Sequence, residues 1–228
     1  MPATPNHFQT RLCMGVNVSR MTAEPRGPST ALALDEAVEL TRTGDVWLFR
    51  GSTFADRTIR TLTNAPVNHV GMAVVIEDLP PLMWHAELGR SLPDMWTGKR
   101  QRGVQLHDLR DAVVTWTTRY GARAWLRQLA PEATAKMEDA VLRTIARMDG
   151  APFPSTWRLT RSWAGGRLRY HRDTETVYCA EVVAETYQAM GLLPGHRPRN
   201  WYDPGKFWSG DHLDLLGGAT LGQEIAVR

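Results

Sequence analysis

"NHVGMAVVIEDLPPLMWHAEL", residues 68–88, decides how the chain is read. Its first half is a β-branched run closed by Asp78, Pro80 and Pro81, and "LMWHAEL" is a second short apolar run. Two strands parted by a Pro-Pro turn read as a hairpin. Antiparallel pairing then brings His85 beside His69, which opens the first strand after an Asn-bearing turn. A polar residue at a strand start can face a cleft while its neighbours pack inward. Without a partner it is ordinarily a satisfied core residue.

Outward from the hairpin, the order of elements points to one fold class. Residues 1–29 lack apolar period and read as a disordered arm, and residues 30–228 as a single domain. "ALALDEAVELTR" predicts a short helix, "GDVWLFRG" (44–51) a strand, and "STFADRTIRTLTNAP" a helix with Phe54, Ile59 and Leu62 at helical spacing. "VQLHDL", "AVVTWTT" and "ARAWLRQL" each read as strands. After Pro131, residues Ala133, Met137, Val141, Ile145 and Met148 mark a helix closed by Gly150. Residues 151–173 read as loop, and "EIAV" as a closing strand. The expected fold class is α+β, an antiparallel sheet with its helices to one side.

Composition excludes several function classes. The 228 residues carry a formal charge of only +3, scattered along the chain, and no RNA- or DNA-binding pattern, so nucleic acid is not an expected partner. Nothing approaches the roughly 18 consecutive apolar residues of a membrane span, and the first twenty residues lack an apolar signal core, so a cytoplasmic protein is expected. Two cysteines, Cys13 and Cys179, make no disulfide framework. No Cys-x-x-Cys, His-Glu-x-x-His or phosphate-binding glycine loop appears, so no metal or other cofactor is expected. The nine tryptophans serve either a core or a groove.

"VYCAEVVAETYQAMG" (177–191) places Val182, Val183, Thr186, Tyr187 and Met190 on one helical face, with Cys179 expected in the first turn. Unpaired N–H groups and the positive end of the dipole there favour a thiolate and an oxyanion. A buried filler cysteine is the other reading. A nucleophile needs a base. Of the seven histidines, His7 falls in the arm, and His107, His171, His196 and His212 in polar or loop contexts that suggest surface roles. That leaves His69 as base, with His85 or Glu87 as the group that orients it. Arg50 and Ser52, just after the first strand, border the expected cleft, and Tyr178 either packs or points toward the oxyanion. Zinc on His69, His85 and Cys179 is the less favoured arrangement, because a helix start suits a nucleophile.

Taken in order, "GDVWLFRG", "NHVGMAVVI", "MWHAEL", "GVQLHDL" and "VYCAEVVAETYQAMGLLP" resemble the circularly permuted branch of the papain-like NlpC peptidase superfamily, the YiiX-like proteins, over residues 44–195. The resemblance implies a papain-like half-barrel, Cys179 as nucleophile, His69 as base and His85 as third polar residue. His85 stands where many permuted members are expected to carry glutamate, which divides that third role with Glu87.

Three functions follow. The first is a cysteine amidase or peptidase working through a thioester, without cofactor. The second is an acyltransferase or thioesterase resembling the lecithin retinol acyltransferase group, with a lipid-like acyl donor. The arginines and tryptophans of 157–172 suit an anionic headgroup or membrane surface. The third is an inactive binding module of the same fold.

Overall fold

The structure is a computed structural model and describes residues 31–51, 66–87, 89–151, 174–211 and 213–228. The expected arm, the helix with Phe54, Ser52, Cys13, His7, His171, His212 and the Arg/Trp stretch 157–172 all lie outside the described residues.

A six-stranded antiparallel sheet organises the chain, in the order β4-β3-β2-β1-β5-β8. Its strands are β1 (Val46–Arg50), β2 (His69–Val74), β3 (Leu82–Glu87), β4 (Gly103–Asp108), β5 (Arg123–Arg127) and β8 (Ile225–Val227). A separate pair, β6 (Leu129–Ala130) and β7 (Thr220–Leu221), ties the chain's end to the segment after β5. The α-helices among the described residues are α1 (Leu34–Glu39), α2 (Leu109–Tyr120), α3 (Ala135–Met148) and α4 (Thr174–Ala189).

β2 and β3 form the expected hairpin, with Met72 opposite Trp84 and Val74 opposite Leu82. β1 joins the other side of β2, pairing Leu48 with Val70 and Phe49 with His69. Because side chains alternate across a strand, this register divides the apolar residues into two layers. Val46, Leu48, Val70, Met72, Val74 and Trp84 pack with α4, α3 and Cys179. Trp47, Phe49, Ala73 and Met83 pack on the other face with Leu109, Ala112, Val113 and Trp116 of α2.

The helices therefore cover both faces rather than one, which corrects the expected layering. The physical reason is visible in β1, where Val46, Trp47, Leu48 and Phe49 are all buried. A strand apolar on both faces needs a cover on each.

The second correction explains the first. Residues 112–118, read as a strand, belong to α2. Their β-branched residues mislead, whereas Leu109, Ala112, Val113 and Trp116 recur at helical spacing and are the buried ones. The Asp108 carboxylate caps the start by accepting from Asp111 N–H, and Gly121 closes the end at φ 60°.

Two buried groups pin the frame. Asp45 accepts from Leu129 N–H at 2.8 Å and Arg42 N–H at 2.9 Å, joining the approach to β1 with β6. Tyr187 of α4 donates its hydroxyl to Gly44 C=O at 2.5 Å. Gly44 itself has φ 93°, a conformation that favours glycine. Arg127 donates to the carbonyls of Phe207, Leu221 and Gly222, holding the C-terminal segment.

Candidate functional site

Three histidines stand in a row on the α2 face of the sheet, one from each of β2, β3 and β4. His69 Nε2 lies 3.2 Å from His85 Nδ1, and His85 Nε2 lies 3.1 Å from His107 Nδ1. The spacing follows from strand geometry. The β2–β3 register carried one residue further sets Gly71 opposite His85. Gly71 has no side chain to fill the space, and a Cβ there would already touch the His85 Cβ at 3.4 Å and collide with Met83 Sδ. His85 thus leans diagonally to His69. Across the next pair, His85 faces Gln105 directly and reaches His107 diagonally.

Trp116 of α2 roofs the row, with ring centroids 5.0 Å from His69 and 4.9 Å from His85, both edge-on. Phe49 closes the side at 6.0 Å from His69. His85 and His107 are fully buried, while His69 keeps partial exposure at the strand start.

Burial disfavours the charged imidazole, and all three proton affinities fall. His69 is driven to about 4 by burial and by His107, and His107 to about 4 by burial, with Asp94 pulling back up and Arg100 pushing further down. His85 also falls well below its ordinary value, through burial first and then its two neighbours. The row is neutral at pH 7. Each neutral ring offers one N–H and one lone pair, which suits proton transfer.

His107 is the residue that sequence reading missed. It was expected at the surface and is fully buried, because its strand neighbour β3 and the helix α2 enclose that face. The available signal was its parity with Gln105 on "GVQLHD", which puts both on one side of β4. Gln105 is also fully buried, and neither of its amide atoms has a hydrogen-bond partner; nor has His107 Nε2.

The remaining expected site residues separate. The Glu87 carboxylate accepts from Ser91 N–H and Oγ–H at 3.0 Å. Arg50 is exposed at the end of β1, opposite Arg123. Tyr178 is partly buried and packs on the α4-side core, where burial raises its hydroxyl's proton affinity.

Cys179 is fully buried in the core layer formed with Val70, Trp84 and Ala180. That layer lies across the sheet from the histidine row. Cys179 is also the sixth residue of α4, beyond the first-turn position expected for it, so the free N–H groups of the helix start precede it. The first-turn expectation rested on the apolar face that starts at Val182, whereas the helix begins at Thr174. Among the described residues, no group of three or more His, Cys, Asp or Glu is arranged to hold a metal ion. None of the described helices is long and apolar enough to cross a membrane.

No protein family profile matches the chain, and no curated protein matches it in sequence. Among solved structures, it is similar to the metalloprotein yiiX of Escherichia coli O157:H7, at 20% identity and a TM-score of 0.43. That match covers 65% of this chain and 65% of the yiiX chain.

Proposed function

We propose that the protein is a hydrolase of amide or related acyl bonds that works through a Cys179 thioester, with His69 as base and His85 orienting it. The observation that carries this reading is the imidazole pair itself. His69 is a neutral, partly exposed ring with one nitrogen held at 3.2 Å by a buried partner. A general base needs a bare nitrogen and a fixed orientation. The thiol proton would pass to His69, the thiolate would attack a carbonyl, and the leaving amine would take the proton from the imidazolium. Water then releases the acid with the same base.

The reading makes a demand on α4: the sulfur must come round the end of β2 to the His69 side. A binding module of the same fold is the second reading, favoured by the complete burial of Cys179 in the layer across the sheet. Peptides, other amides and lipid-like acyl groups are the substrate classes under the first. An acyltransferase would use the same thioester with an amine or alcohol as acceptor.

The experiment is the pH dependence of iodoacetamide labelling at Cys179, by intact mass in a Cys13→Ala background, with and without His69→Ala. A labelling pKa well below the unperturbed thiol value of about 8.5, moved by the histidine substitution, is the outcome expected of the hydrolase. A thiol that stays inert until the protein unfolds assigns the binding module. With an active thiol, amine release from short peptides or muropeptides is compared with acyl-adduct mass after phospholipid, which separates hydrolysis of amides from lipid acyl transfer.

A further inference from the structure

Between β3 and β4 runs a loop, residues 89–102, in which the histidine row has no part. Its sequence, "GRSLPDMWTGKRQR", sets Met95 and Trp96 side by side among Arg90, Lys99, Arg100 and Arg102. Four cations stand there against the one carboxylate of Asp94, a surplus of three that equals the formal charge of the whole chain. Burial of the two apolar side chains, with the cations left in water, would be the ordinary outcome.

The fold does the reverse. Met95–Arg100 are six consecutive exposed residues. Trp96, 54% exposed, is the most exposed large apolar side chain among the described residues, and Met95 beside it is 39% exposed. The tip is nevertheless firmly held. Asp94 is buried, and its carboxylate accepts from Thr97 N–H and hydroxyl at 2.8 Å and from Leu106 N–H at 3.0 Å. Its carbonyl accepts from Gly98 N–H, its N–H donates to Lys99 C=O, and Met95 N–H donates to Leu106 C=O, all at 2.8 to 2.9 Å. Arg100 donates to Ser91 C=O, and Gly98 turns the chain at φ 65°. The loop is thus fastened along β4, the edge strand of the sheet, and holds its apolar pair out in water.

We propose that this loop docks the protein on an anionic lipid surface, with Trp96 and Met95 entering the interface and Arg90, Lys99 and Arg102 meeting the headgroups. The chemistry favours a bilayer over other partners. A folded protein would need a cavity cut to a protruding tip. A single strand of nucleic acid stacks on a row of aromatics in a basic groove, and this tip offers one ring beside a methionine. A bilayer admits any protruding apolar tip, suits an indole with one polar edge, and sets negative charge at the depth of the cations. The docking stands whether or not Cys179 is a nucleophile.

The test is sedimentation of the full chain with vesicles of phosphatidylcholine alone and of phosphatidylcholine mixed with phosphatidylserine, at low and raised salt. Binding is expected on the mixed vesicles, weak on the neutral ones, and reduced by salt. Lys99→Ala and Arg102→Ala should each weaken it about fivefold, and Trp96→Ser about tenfold, with Trp96→Phe close to wild type. These side chains are exposed, so thermal unfolding of the variants should match wild type. Brominated lipid should quench wild type more than Trp96→Phe, which reads the depth of Trp96 itself.

A chain that stays in solution with both vesicles, or pellets equally with both, overturns the proposal. So does binding that the loop variants leave unchanged, which places the contact elsewhere on the chain. Retention on a single-stranded oligonucleotide without vesicle binding also overturns it and assigns the cations to nucleic acid.

Discussion

Acidification from pH 7 to pH 5 should cost the protein stability, by an amount that follows from the histidine row. His69 and His107 sit at about 4 in the folded protein and His85 well below its ordinary value, all chiefly through burial. In the unfolded chain each returns to about 6.5, so below that pH the unfolded state takes up protons that the folded state refuses. Their contribution is therefore whole above pH 6.5 and is lost as the pH falls toward 4. Between pH 7 and 5 one such group loses about 2 kcal/mol. His69 and His107 together lose roughly 3 to 4 kcal/mol, with His69 giving the smaller share because it is partly exposed, and His85 adds to the loss in the same direction. Three carboxyls, Asp45, Asp149 and Glu181, act in the opposite sense. Burial raises Asp45 and Asp149 to about 6, so over the same span the folded state binds protons first. Asp45 and Asp149 each return about 1 kcal/mol, His85 adds to the loss while Glu181 offsets it, and the net loss is roughly 2 kcal/mol. That is a large part of the stability of an ordinary domain. Urea unfolding followed by tryptophan fluorescence at pH 7, 6 and 5 measures it, with the slope on denaturant held constant as the check on two-state behaviour. His107→Asn removes one titrating ring and should flatten the dependence by about 2 kcal/mol, measured against its own stability at pH 7. Stability at pH 5 equal to or above that at pH 7 would refute the burial of neutral imidazoles and everything built on the row.

Three further outcomes test the frame. Gly71→Ala sets a methyl against Met83 Sδ and the base of His85, and is expected to lower stability by about 1–3 kcal/mol in thermal unfolding; a neutral result would mean that Met83 moves freely. Tyr187→Phe removes the hydroxyl bond to Gly44 C=O and leaves that carbonyl buried, for a loss of about 1–2 kcal/mol by urea unfolding. Thr186→Val deprives the buried Trp84 indole N–H of its 3.0 Å acceptor, and should destabilise by a similar 1–2 kcal/mol or so, with a shifted Trp fluorescence maximum as its local signature.

Local pattern was enough to find the sheet and the pairing that makes the site. "HVGMAV" and "LMWHAE" carry their hairpin in their own composition and in the prolines between them, and once they pair, alternation leaves His69 and His85 on one side. The long helix after Pro131 was equally legible, since its apolar spacing is independent of anything distant. The strand reading of 112–118 failed because β-branched residues weigh locally toward a strand, while Trp116 and Val113 find their burial only when α2 folds back over the sheet. His107 illustrates the same limit: six strand residues cannot announce that a ring three strands from β1 will lie 3.1 Å from another, because that distance is set by the β3–β4 register. The side of the sheet on which Cys179 lies was also beyond reach. Amphipathic spacing tells which face of α4 is apolar, but a sheet buried on both faces offers that helix two places to dock. The sequence by itself determined which residues pair and which point together. Only the packing of α2 and α4 on opposite faces decided which of them meet.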